Sequence, residues 1–73
     1  MDGSNKLDLH GVRHYEVDTM VENFILMNQD KLPLTIICGN SQPMINLART
    51  VIDRIDCEEV CMDVYGVISI RRI

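Results

Sequence analysis

Apolar and polar residues follow one another in two rhythms along this chain, and each change of rhythm marks an element. Lys6-Leu7-Asp8-Leu9-His10 alternates residue by residue, so on a strand Leu7 and Leu9 share one face while Lys6, Asp8 and His10 share the other. Gly11 ends that strand. From His14 to Gln29, Val17, Met20, Val21, Phe24 and Met27 recur at helical spacing, which predicts an amphipathic helix with Asp18, Glu22 and Asn23 on its wet side. Asp30, Lys31 and Pro33 break the pattern. Leu34-Thr35-Ile36-Ile37-Cys38, apolar, partly β-branched and bounded by Pro33 and Gly39, then reads as a buried strand.

A second helix is predicted after Gly39-Asn40-Ser41-Gln42-Pro43, where Ser41 offers a capping hydroxyl and Pro43 sits where a first turn tolerates proline. Its stripe is Met44, Ile45, Ala48, Val51, Ile52 and Ile55, with Arg49, Asp53 and Arg54 facing solvent. Glu58 to Val64 alternates, placing Val60, Met62 and Val64 on one face, and Val67 to Arg72 alternates with Ile68 and Ile70 inward. Tyr65-Gly66 between them suits a tight hairpin. The order β-α-β-α-β-β implies parallel strands where a helix intervenes and an antiparallel pair at the end. The expected fold is therefore an α/β two-layer sandwich, with two helices on one face of a four-stranded mixed sheet and Phe24, Ile36, Val51 and Ile68 buried. Residues 6–73 are expected to form one domain behind a polar, disordered tail at 1–5.

Composition narrows the field. A chain of 73 residues, 47% hydrophobic and 25% charged, is one small globule rather than a multidomain enzyme or a disordered segment. At this size a thin stability margin makes a homodimer one route to a larger core. A formal charge of −4 argues against a wrapping, counterion-releasing grip on nucleic acid, so any such contact is local. Three cysteines, Cys38, Cys57 and Cys61, cannot close a full disulfide set, and with no signal peptide the expected setting is intracellular, in the cytoplasm. Cys57 and Cys61 have no second ligand pair at zinc-finger spacing, which favours structural thiols. No apolar run approaches the roughly 20 residues of a membrane span.

Chemistry concentrates in Leu7-Asp8-Leu9-His10-Gly11-Val12-Arg13, where a carboxylate and an imidazole two residues apart on one strand face can act on one target. Asp8 can fix the imidazole's tautomer while His10 moves a proton, or Asp8 can be an oxygen ligand to a divalent ion; equally, both can decorate a solvated face. His14 reads as a helix-start surface residue. Arg49, Arg54, Arg71 and Arg72 read as solvated charge, with Arg71 best placed for the open sheet face. Asp53, Asp56, Glu58, Glu59 and Asp63 lack a calcium-loop pattern and read as an acidic rim. Met20, Met44 and Met62 fall on core stripes.

Leu-Asp-Leu-His-Gly on the first strand, followed by Arg13, Glu16 and an amphipathic helix, then a Thr-Ile-Ile-x-Gly strand entering a loop and a second helix, resembles the Smr (small MutS-related) domain. The resemblance runs from Lys6 to Arg72. It implies a βαβαββ sandwich like the C-terminal domain of bacterial translation initiation factor three. It also implies binding of structured DNA or RNA, in some members with metal-assisted (Mg²⁺ or Mn²⁺) nicking or RNA-cleaving endonuclease activity. By family pattern Asp8 and His10 are the catalytic positions and Arg13 the arginine after the glycine. The family's second motif, Thr-Gly-x-Gly with a basic residue, falls on Cys38-Gly39-Asn40-Ser41 and keeps only its first glycine. Gly39, Asn40 and Ser41 then form the phosphate-facing loop before a helix start, where backbone N–H groups are free and the dipole favours an anion. A missing glycine and a missing positive charge weaken that grip and favour binding over cleavage. The alternative from a different class is a protein-interaction or dimerising domain that uses the open sheet face around Ile37, Val67 and Ile73.

Overall fold

A computed structural model describes residues 5–73. The elements are β1 (Lys6–Asp8), α1 (His14–Met27), a single 3₁₀ turn (Gln29–Lys31), β2 (Leu34–Ile37), α2 (Gln42–Ile55), β3 (Glu59–Val64) and β4 (Val67–Arg72). They form one mixed sheet in the order β1-β2-β4-β3, with β1 parallel to β2 and the β2–β4 and β3–β4 pairs antiparallel. The expected α/β architecture is present. Residues 1–4 of the expected tail lie outside the described residues; the carbonyl of Asn5 accepts the Thr35 N–H at 3.0 Å, continuing the ladder one residue before β1.

Both helices cover one sheet face. Leu34, Ile36, Ile68 and Ile70 from the strands, with Leu9 and Cys38 just beyond β1 and β2, share one buried cluster with Val17, Val21 and Ile25 of α1 and Met44, Ile45, Ala48, Val51 and Ile52 of α2. Each fully buried Leu or Ile contributes about 1.5–3 kcal/mol. Strand register assigns the other face: Lys6 pairs with Thr35 and Thr35 with Ser69, while Asp8 pairs with Ile37 and Ile37 with Val67. That second face carries no helix among the described residues.

The centre of α1 differs from the sequence expectation. Val17, Val21 and Ile25 are fully buried, Met20 and Phe24 are half-buried at the flank, and Met27 is 76% exposed. Phe24 therefore packs against the core without being enclosed by it. Two interleaved stripes on α1 satisfy helical spacing, and α2 settles the choice by packing against the Asp18–Glu22 side. There Arg54 of α2 bonds both carboxylate oxygens of Asp18 (3.0 and 2.9 Å) and Oε1 of Glu22 (2.9 Å). These charges, expected to be solvated, remain exposed yet tie the two helices together. Tyr15 and Tyr65 are exposed.

β3 also departs from plain alternation. Cys61 pairs with Ser69 and Val64 with Val67, so one extra residue of β3 is accommodated between those pairs. Such a bulge reverses the facing of the residues beyond it. Val60 and Met62 reach the core as expected, but Val64 turns to the open face and is 64% exposed. The chain leaves α2 through Asp56 in the left-handed region (φ 69°), its N–H bonded to the carbonyls of Ile52 and Asp53.

Two measurements check this packing. Ile25→Ala is expected to cost about 2–5 kcal/mol in urea unfolding, as a buried aliphatic truncation does, whereas Met27→Ala stays within about 0.5 kcal/mol. The Arg54 guanidinium holds the Asp18 carboxyl below its ordinary pKa, chiefly by hydrogen bonding, so the pair's contribution is present above the unfolded-state carboxyl pKa and is lost as pH falls through the folded one. Arg54→Met is accordingly destabilising near neutral pH. The gap in melting temperature from wild type is expected to close below about pH 4.

Candidate functional site

Parallel pairing sends β1 and β2 out of the sheet at the same end, and the loops beyond them are joined there. The Leu9 N–H donates to the Ile37 carbonyl at 2.9 Å, so His10 and Gly39 leave the ladder from neighbouring positions. The segment Asp8–Arg13 and the loop Gly39–Ser41 thus share one edge of the domain, which is the edge where ligands gather in open α/β sheets. Asp8, His10, Arg13, Gly39 and Asn40 are exposed there, and Ser41 is half-buried.

The local geometry of the first motif differs from a strand-face pair. β1 ends at Asp8, and the Asp8 carboxylate accepts the backbone N–H of His10 at 2.9 Å. This is an Asx-type turn, in which the carboxylate caps the chain reversal instead of orienting the imidazole. Val12 N–H closes onto the Leu9 carbonyl at 3.0 Å and Gly11 takes φ 80°, which completes the turn into α1. The expected placement of Asp8 and His10 on one strand face is corrected accordingly: His10 lies beyond the strand, because β2 turns away at Gly39 and offers no further ladder partner. Oδ2 of Asp8 remains available to a ligand.

Arg13 is the N-cap residue of α1, with no side-chain cap of its own. Its guanidinium therefore belongs to the helix end where the free N–H groups and the positive dipole pole already stand. Ser41 caps α2 in agreement with the sequence reading, its Oγ accepting the Met44 N–H at 3.4 Å, with Pro43 in the first turn. No acidic residue occupies the first turn of α2. Two helix N-termini thus flank the strand ends.

The hairpin between β3 and β4 contributes a third wall that the sequence motifs did not assign. The Cys38 N–H donates to the Gly66 carbonyl at 2.6 Å, and Gly66 lies so close to Gly39 that a Cβ on it would overlap the Gly39 carbonyl. Tyr65, 51% exposed beside it, donates its hydroxyl to Oε1 of Gln42 at 2.8 Å, and Gln42 in turn donates to Oδ1 of Asn46 at 2.9 Å. One signal did point here: an aromatic at the first corner of a two-residue turn has no core-facing period to bury it.

For a divalent ion, Asp8 is the carboxylate that the first motif supplies. Among the described residues no three His, Cys, Asp or Glu side chains are grouped to hold a metal. An ion at Asp8 would draw its remaining ligands from water and from phosphate oxygens, which is how Mg²⁺ is commonly held. The cysteines form no pair: Cys57 packs against the core, while Cys61 stands on the open face opposite Ser69. Burial raises the thiol pKa of Cys38, and burial together with Asp56 and Asp53 raises that of Cys57, so both stay protonated at neutral pH. Arg71 stands beside Cys61 at the far end of the open face, away from Asp8.

A pair of glycine substitutions separates strain from collision. Gly11→Ala and Gly66→Ala both place a side chain at positive φ, but only at Gly66 would the new Cβ meet backbone. Gly11→Ala is expected to cost about 1 kcal/mol and Gly66→Ala clearly more, measured by chemical denaturation.

Compared with protein-family models, with curated proteins and with solved structures, the chain finds no match.

Proposed function

We propose that this chain is a nucleic-acid-binding domain of the Smr kind, whose ligand lies across the edge formed by Asp8–Arg13 and Gly39–Ser41. The observation that carries the reading is the parallel β1–β2 pair, which delivers the two motifs that resemble that family to one place. Arg13 and the two flanking helix N-termini supply the positive character that a phosphate requires. Gly39, at φ 72° with open space where a Cβ would stand, lets backbone approach an anion closely. Binding is the primary activity in this reading. Phosphodiester cleavage, in which Asp8 would orient water or hold a Mg²⁺ or Mn²⁺ ion and His10 would move a proton, is the secondary one.

A second reading has its own observation. On the open face Ile37, Val67 and Val64 form a cross-strand apolar row, and Val64 is 64% exposed. Ile73, assigned to that surface from the sequence, packs against the core instead. A row of this kind suits a protein partner or a second copy of the chain. No helix among the described residues is long and apolar enough to cross a membrane.

A gel-shift assay with branched DNA and hairpin RNA at low salt, with and without Mg²⁺ or Mn²⁺, tests the first reading. Retardation is expected, with a salt dependence equivalent to roughly two to four phosphate contacts. Arg13→Ala should weaken binding and lower the salt slope by about one contact. Asp8→Asn, which preserves an oxygen acceptor for the His10 N–H, is expected to keep fold and binding and to abolish any cleavage. Absence of retardation with both ligands overturns the reading in favour of the open sheet face.

A further inference from the structure

Tyr65 is an exposed aromatic ring that the core does not account for. Its side chain is half exposed at the tip of the hairpin and takes no part in the core cluster. Exposing an aromatic ring has a hydration cost that a covering partner removes. The ring is nevertheless held: its hydroxyl donates to Gln42, and the next residue, Gly66, is clamped against Gly39 through the Cys38 N–H. A ring tethered at both ends has little rotamer freedom left to lose on binding. The residue it is tied to, Gln42, opens α2 directly after the Gly39–Ser41 loop. Tyr15, the other tyrosine, shows the contrast. It is 76% exposed in the first turn of α1, on the side opposite the buried Val17–Val21–Ile25 stripe, so it points away from the sheet.

We infer that Tyr65 is a stacking platform for an unpaired base, so that the preferred ligand of this edge is a single strand, or a junction with an unstacked nucleotide, and not a continuous duplex. This rests on the nucleic-acid reading above. A phosphate seated at Gly39–Ser41 puts the adjoining nucleotide within reach of the hairpin, and a flat ring accepts any base because every base has a π-face. A continuous duplex keeps its bases stacked on one another and offers that ring only its backbone.

The chain has two tyrosines and no tryptophan, so Tyr15→Phe leaves Tyr65 as the sole tyrosine fluorophore. Titrated with single-stranded oligothymidylate, this variant is expected to show quenching of tyrosine emission, and much less with a duplex of equal length. In binding assays Tyr65→Ala should weaken the single strand about 5- to 100-fold while changing duplex affinity less than about 2-fold. Tyr65→Phe, which keeps the ring and loses only the Gln42 tether, should stay within a few-fold of wild type. If Tyr65→Ala does not fold, the quenching measurement still decides. Single-strand binding without quenching, or equal losses on single strand and duplex, overturns the stacking role and leaves the nucleic-acid reading standing. Failure of the unsubstituted protein to bind either ligand overturns both.

Discussion

The contact on which the candidate edge depends is the seating of Gly66 against Gly39. Two backbones come together there with no side chain between them, closed by the 2.6 Å bond from the Cys38 N–H to the Gly66 carbonyl. This contact joins the connection between β2 and α2 to the turn between β3 and β4, which lies far along the chain from it. Glycine at position 66 is required twice over, for its φ of 86° and for the space a Cβ would take from Gly39. With Tyr65 outside the left-handed region and Gly66 inside it, the hairpin has the sign pattern of a type II turn rather than the doubly left-handed I′ form. The hairpin tip is thereby held over the end of α2, where Tyr65 meets Gln42.

A domain this small can enclose only one layer of side chains, and this one encloses the layer between helices and sheet. The helix-facing positions of β2 and β4 are saturated with Leu34, Ile36, Ile68 and Ile70, while the opposite face carries Thr35, Ile37, Val67 and Ser69 in half-buried positions. The open face is therefore mild in character and is neither a charged surface nor a second core. Its apolar row runs toward the same end as the Asp8 turn, because Asp8, Ile37, Val67 and Val64 stand side by side across four strands. Nucleic-acid and protein-partner readings thus compete for neighbouring surfaces, and salt dependence separates them.

Element order and sheet direction were legible in the sequence because each rests on a local rhythm or a turn residue: alternation around Ile68 and Ile70, Ser41 and Pro43 before α2, Gly66 in the hairpin. The features that were not legible depend on neighbours distant in sequence. Spacing alone admits both Met20–Phe24–Met27 and Val17–Val21–Ile25 as the inner stripe of α1, and only the position of α2, fixed by Arg54 on Asp18 and Glu22, selects the second. Alternation in Lys6–His10 likewise continues past the point where the ladder stops, since its end is set by Gly39 turning β2 away and not by anything within the segment. The bulge that turns Val64 outward leaves no mark in Glu58–Val64, because both its residue types and its alternation suit an unbroken strand.

A net charge of −4 weighs against an anionic ligand, and the fold divides that charge between its two ends. Asp53, Asp56, Glu58 and Glu59 cluster where α2 ends and β3 begins, at the end of the sheet opposite the loops after β1 and β2. The candidate edge carries Arg13 and the two helix N-termini against Asp8, Glu16 and Asp63, so its own formal side-chain charge is negative as well. The domain measures 27 × 25 × 22 Å, and the screening length at physiological ionic strength is about 8 Å. Repulsion from the far acidic end is therefore largely screened before it reaches a ligand at Gly39, whereas Arg13, the helix ends and the nearby carboxylates Asp8, Glu16 and Asp63 act at short range. Net charge governs how the whole molecule is approached from afar, and the local arrangement governs what is held once it arrives. Under the proposed reading, the hold of a small acidic domain of this layout is short and local, on a phosphate and its neighbouring base, and does not wrap a length of backbone.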